Sequence, residues 1–415
     1  MTFKQREQAH ILALMLLAFA IPLGEGIALL GMGLVLLLCC LRRHSIDWTD
    51  LNRGLAGVWF YGWLAWFVIG VLMISISGLG VLKSSEIFRH APILAAPAVF
   101  LSVRSLPQRA LPKVHQILMV MLCAGALLGV YQWYSSSHDL AFMVRADSSI
   151  ASQARVPGAY DSMAAAGFYF HRLKMAHVLV LAIGLVVPFA LTKGRQAGWA
   201  WLAAALFTTC LAGTFAKASW GACLVGTIAA GYCLFKQIRK PLLFASLAGA
   251  GAILYLQSNE QLVLPSSMGS STGIRSMIWG QALHVIQDYP GGVGLGNYSK
   301  VVASYYDQVM PAFHIRTYPH NLLLSWWAEC GAGGMLILVS SWVITFVKAF
   351  QRACDTNLGS ANRSIYASLV FYLASFWIIG LTHDVFYHQS VALMFFSGVG
   401  WLLGQLPRDE LSNRP

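Results

Sequence analysis

"LAGVWFYGWLAWFVIGVLMISIS", residues 55–77, carries no charged side chain over 23 positions. As a helix rising 1.5 Å per residue it would extend about 35 Å, enough to cross the roughly 30 Å hydrocarbon layer of a bilayer. Two further blocks, "ILALMLLAFAIPL" at 11–23 and "VHQILMVMLCAGALLGVYQWY" at 114–134, repeat the pattern. The chain is 57% hydrophobic and 11% charged, too little charge to clothe a soluble globule of 415 residues. The reading is an all-α, polytopic integral membrane protein, with one membrane domain over 1–415.

Blocks of this kind place twelve spans, at 8–21, 24–41, 55–76, 85–102, 113–134, 173–192, 197–213, 216–235, 241–257, 320–347, 363–381 and 386–405. The first follows "MTFKQREQAH" without a small-residue cleavage site, so it is expected to be retained as a helix. Lys and Arg collect in alternate short loops: Arg42, Arg43 and Arg53, then Arg104, Arg109 and Lys113, then Lys193 and Arg195, then Lys236, Arg239 and Lys240. That bias assigns those loops and both termini to the cytoplasm, and it accounts for the net charge of +12. No soluble module interleaves basic and aromatic residues, so no nucleic-acid partner is expected. The eight Cys lie mostly in apolar blocks and form no CxxC pair or disulfide framework.

Two long loops, 135–172 and 258–319, both fall on the outer side. The second reads as an ordered loop inserted between spans nine and ten. "GIRSMIWGQALHVIQDY" sets Ile274, Met277, Ile278, Leu283 and Ile286 at helical spacing. "NYSKVVASYYDQVM" sets Val301, Val302, Tyr305 and Val309 on one helix side. The intervening "PGGVGLGN" is a glycine-rich turn with no preceding strand, and so not a dinucleotide fingerprint.

Ionisable side chains beside a bilayer are costly, which makes each a functional candidate. Here they gather at the outer face: Arg89 and His90, then His171, Arg172 and Lys174, then Lys217, Arg275, His320, His383 and Asp384. A cationic cluster with few acids suits an anionic headgroup, phosphate above all. Plainer roles compete. Lys174 can snorkel to the interface, His171 and His177 can be hydrogen-bonded interfacial residues, and Arg89 can pair with Glu86 three residues earlier. His383 and His388 are five apart across a turn, not at the four-residue spacing of two helix-borne ligands, so no metal is expected. Glu329 lies nine residues after His320. On an unbroken helix that is about 13 Å along the axis on the opposite face, and Glu329 then marks close helix packing or a buried pair.

The chain resembles the O-antigen ligase and polymerase superfamily, with its motif region over about 205–335. "GTFAKASWG" (213–221) is similar to that family's Thr-x-Ser-Arg segment, with Lys217 where Arg is usual. "GIRSMIWGQAL" followed by "YPGGVGLGNY" resembles its Arg-x-x-x-Trp helix and Gly-x-Gly turn. "HN" at 320–321, nine residues and "GAGG" resembles the ligase signature, with Met335 where Thr is usual. The resemblance implies a metal-independent, inverting glycosyltransferase of the bacterial inner membrane, without cofactor. Its donor would be polysaccharide on undecaprenyl pyrophosphate, and its acceptor a sugar hydroxyl of the lipid A core on the periplasmic side. A polymerase or a protein O-oligosaccharyltransferase of the same superfamily stands as the alternative. A transporter is the rival of another class, but transporters place polar groups near the midplane. In the ligase reading His320 is the general base, which Asp384 would orient. Arg275, Lys217, Arg89 and Arg172 would hold the pyrophosphate.

Overall fold

The computed structural model describes residues 2–79, 89–135, 155–156, 159–169, 171–241, 271–309 and 318–407. Among these residues the chain is all-α apart from one antiparallel hairpin, β1 (Arg155–Val156) with β2 (Ala159–Met163). The helices are α1 (Phe3–Ala20), α2 (Glu25–Leu41), α3 (Gly54–Ser77), α4 (Ala95–Ser105), α5 (Leu111–Ser135), α6 (Arg172–Lys193), α7 (Gly198–Gly213), α8 (Lys217–Leu234), α9 (Ser271–Asp288), α10 (Tyr298–Val309), α11 (Leu322–Cys354), α12 (Ser360–Gly380) and α13 (Gln389–Gln405). Five regions, Gly54–Ser77, Gln108–Ser135, Arg172–Lys193, Leu322–Cys354 and Ser360–Gly380, are long and apolar enough to cross a membrane. The ninth expected span, 241–257, lies outside the described residues beyond its first position, as does Glu86, the expected partner of Arg89. The fourth expected span, 85–102, is described only from Arg89. A 3-10 turn at Ala91–Leu94 precedes α4, which continues to Ser105.

Outward-facing apolar side chains belong to a lipid-exposed surface: Leu12, Leu30, Leu72 and Leu202 are all exposed. Inside, small residues let helices meet closely. A Cβ on Gly62 of α3 would lie 2.3 Å from Ser341 of α11, and one on Gly226 of α8 2.1 Å from Ser375 of α12. Aromatic rings fill the centre, with Phe376 stacked on Phe395 at 4.2 Å and Trp342 on Phe395 at 5.5 Å between centroids. All eight Cys are free.

Arg42 departs from its expected place among the loop cations. It is buried, and its Nη1 donates to His10 Nδ1 at 2.9 Å, while His10 Nε2 meets Ser102 Oγ at 2.8 Å. This chain of bonds ties α1, α2 and α4 together and satisfies a buried guanidinium in part.

The described part of the second long loop has its own small core. Ile278, Ala282, Val285 and Ile286 of α9 pack with Tyr298, Val301, Val302 and Tyr306 of α10 and with Ala328 of α11. The i, i+3, i+4, i+8 stripe on α10 thus runs through Tyr306. Tyr305, expected on that stripe, is half-buried at the edge of this core and bonds Asp288 through its hydroxyl. Leu283 is exposed and not in the core. Both misplacements follow from the narrowness of a stripe that faces one partner helix.

The α11 helix is broken. Gly331 has φ 66° and ψ 178°, which separates a short N-terminal piece from the long C-terminal one. Residues 332–354 alone rise about 35 Å, a full membrane crossing. The short piece, Leu322 to Cys330, therefore lies at the end of the span, and His320 precedes it.

Candidate active site

His320 occupies a conformation that the chain does not adopt freely. Its φ is +52°, one of two positive values at non-glycine residues among the described residues. Such a backbone costs about 1–3 kcal/mol and persists only where its surroundings hold it. The holding groups are specific. The His320 N–H donates to Asp384 Oδ2 at 2.7 Å. Trp279 Nε1 donates to the Pro319 carbonyl at 2.9 Å. Asn321 caps α11, its Oδ1 accepting from the N–H groups of Leu323 and Leu324 at 3.0 and 3.2 Å, and its amide donates to the Leu381 carbonyl at 3.2 Å. Ser325 Oγ lies between the Asn321 carbonyl, 3.0 Å away, and Asp384 Oδ1, so its one proton serves one of them at a time. Asp384 thus meets His320 through the backbone, whereas the sequence suggested that it orients the ring.

Charge and burial keep the nearby imidazoles neutral. Burial lowers the pKa of His320, and the positive charge of Arg275 lowers it further. His383 falls to about 3 from burial and then the charge of Arg275. His388 falls to about 3 and His171 to about 4, burial being the main cause in each case. Asp384 moves the other way, up to about 6, because burial outweighs the hydrogen bonds from Ser325 and the His320 N–H. The His320 and His383 rings stand edge to face with centroids 6.4 Å apart.

The motif segments converge on this point. Arg275 and Trp279 are four residues apart on α9 and share a face. Trp279 grips Pro319, and the Arg275 charge acts on His320 and His383. The glycine turn clasps the break in α11. Val293 N–H donates to the Ala328 carbonyl and Gly294 N–H to the Glu329 carbonyl, at 2.8 and 2.9 Å, while Gly296 N–H donates to Glu329 Oε1 at 3.0 Å. Gly292, at φ +95°, passes so close that a Cβ there would lie 2.5 Å from Gly331 N. Glu329 is buried and holds this turn, a more definite role than the close packing or buried pair expected of it. On α6, Arg172 Nη1 donates to the Thr214 and Phe215 carbonyls at 3.3 Å. Phe215 is the second residue with positive φ, at 53°. Arg172 therefore secures the turn that delivers Lys217, an exposed residue at the start of α8.

Arg89 belongs to a different group. Its Nη1 donates to the Tyr318 hydroxyl at 2.6 Å and its guanidinium lies 5.4 Å from that ring's centroid. With Asp384, Glu329, Ser325, Trp63 and Trp66 it lines a cavity of about 50 Å³ that none of His320, Arg275, Arg172 and Lys217 lines. Sequence reading did not single out Tyr318 or Ser325, although both lie within five residues of His320. Lys174, expected to snorkel, instead forms an ion pair with Glu25 at 2.8 Å. His171 caps α6 as a hydrogen-bonded residue, but both ring nitrogens of buried His177 lack a partner. His388 meets His171 edge to face, and the His383 ring is tilted against that of His177. Among the described residues no three His, Cys, Asp or Glu side chains form a group that could hold a metal ion.

No curated protein matches the chain. Residues 176–339 match the model of the family described as O-antigen ligase. That stretch contains Lys217, Arg275, His320 and the glycine clasp, while Arg89, Arg172 and Asp384 lie outside it. Over residues 176–339, and in its helical membrane fold, the chain matches the O-antigen ligase/polymerase superfamily.

Proposed function

We propose that the protein transfers O-antigen polysaccharide from undecaprenyl pyrophosphate to a sugar hydroxyl of the lipid A core, at the periplasmic face of the bacterial inner membrane. The observation that supports this most is His320, a neutral imidazole fixed in a strained backbone beside the charge of Arg275. Held neutral, the ring accepts the proton of the acceptor hydroxyl as that oxygen attacks the anomeric carbon. The new glycosidic C–O bond forms as the bond to the pyrophosphate breaks, with inversion, and the electron pair leaves on the pyrophosphate oxygen. Arg275 and Lys217 stabilise that developing charge. Arg172 is a positioning residue for the Lys217 turn, and Asp384 one for the His320 backbone. In this reading the loop over 258–319 and both termini lie on opposite sides of the membrane.

The test is reconstitution in lipid with lipid-linked polysaccharide and lipid A core, separately and together. A joined product only when both are present supports the ligase reading. Elongation from the lipid-linked donor alone assigns the chain to the polymerases instead.

A further inference from the structure

The cavity beside His320 has a chemistry that the pyrophosphate does not use. Its volume of about 50 Å³ suits roughly three or four water-sized groups. Trp63 and Trp66, each 2% exposed, line it, and their indole N–H groups have no hydrogen-bond partner. His90 Nε2, a further lining group, is also buried and unpartnered. Buried donors of this kind are costly unless something accepts from them. The same wall carries two buried carboxylates, Asp384 and Glu329. An anion would accept from the donors and meet one cation, Arg89, which is bonded to Tyr318, but the two acids outnumber that cation. A neutral polyol satisfies both sets, because each hydroxyl donates and accepts. Aromatic rings beside such groups give the CH face of a sugar an apolar surface. Asp384 links this cavity to the catalytic group, since it lines the wall and holds the His320 N–H.

We infer that this cavity receives the hydroxyl-bearing edge of the acceptor's terminal sugar, while the pyrophosphate lies on the Arg275 side of His320. This rests on the transfer reaction proposed above and adds that the two substrates reach the base from chemically distinct walls. The small volume admits the edge of one ring and not a disaccharide.

The experiment uses full-length protein in lipid nanodiscs. Trp66→Phe and Trp63→Phe keep an aromatic ring and remove one donor each. Binding of delipidated core oligosaccharide and of inorganic pyrophosphate is measured separately without turnover. Acceptor and donor KM values are then measured with core acceptor and, in parallel, with lipid-linked glycan as acceptor. Each variant is expected to weaken oligosaccharide binding and raise acceptor KM roughly 3–10-fold. Pyrophosphate binding and donor KM should stay within twofold. If wild-type protein uses only the lipid-linked acceptor, the ligase reading fails, yet a raised KM for that acceptor still supports the cavity assignment. Loss of pyrophosphate binding, or unchanged constants for every acceptor used, overturns it.

Discussion

At the scale of single residues, Asp384 and Arg275 separate two kinds of contribution to His320. Asp384 touches the His320 backbone N–H, so what it supplies is an acceptor. Asn in its place keeps a carbonyl oxygen there, and Ala leaves the N–H bare and the positive φ unheld. Asp384→Ala is therefore expected to lose at least tenfold more kcat than Asp384→Asn. Equal losses would mean that the carboxylate charge matters and not the hydrogen bond. Arg275→Ala should weaken donor use by about 1.5–3 kcal/mol, read from donor KM, with Arg275→Lys recovering part of it because a point charge cannot reproduce a planar fork. The same substitution removes a charge that lowers the His320 pKa. The acid limb of the pH–rate profile should thus move toward neutral pH in the Ala variant and stay in place in the Lys variant. In the wild type, transfer should decline once the pH falls below the ordinary histidine range and His320 takes up a proton. For Asp384 the folded pKa lies above the unfolded one, so protonating it favours the folded state. The melting temperature should therefore not fall on its account between pH 7 and 5.5. The histidines and arginines of this site could be recognised in the sequence from their cost beside a bilayer. The grouping of Arg89 with Tyr318 could not, because it depends on which helix ends meet.

At the scale of elements, the break in α11 and the glycine turn that clasps it place the short N-terminal helix piece. A Cβ on Gly331 would lie 2.5 Å from the Gly291 carbonyl oxygen, at a φ that L side chains rarely adopt. Gly333, two residues on, has nothing within 4 Å of such a Cβ. Gly331→Ala should lower the melting temperature of purified protein and depress transfer, whereas Gly333→Ala should do neither beyond about 1 kcal/mol of effect. A tolerated Gly331→Ala would show that the clasp can relax without disturbing His320. The sequence displayed both halves of this device, "PGGVGLGN" and "GAGG", yet not their contact. Periodicity describes one element at a time, and the two segments are about 40 residues apart. The same limit explains Tyr305 and Tyr306: both fit a helical stripe, and only the partner helix decides which is buried.

At the scale of the whole molecule, the expected spans correspond to helices wherever residues are described, because a bilayer demands length and apolarity that composition alone reveals. The positive-inside bias then predicts that a cysteine placed at Ser271 is labelled by an impermeant reagent from the periplasm and one at Thr356 is not. The reverse pattern would put the cationic cluster in the wrong compartment. In the proposed reaction the fixed cations of the site take the place of a divalent ion, so turnover should survive chelation. Loss in EDTA with rescue by one divalent ion would contradict this. The central claim is that His320 accepts the proton of the attacking hydroxyl, and it is tested most directly by comparing donor binding with transfer in purified His320→Ala. The account predicts a folded protein that binds lipid-linked donor as the wild type does and transfers about 10²–10⁴-fold more slowly. Near-normal transfer by that folded variant would contradict it.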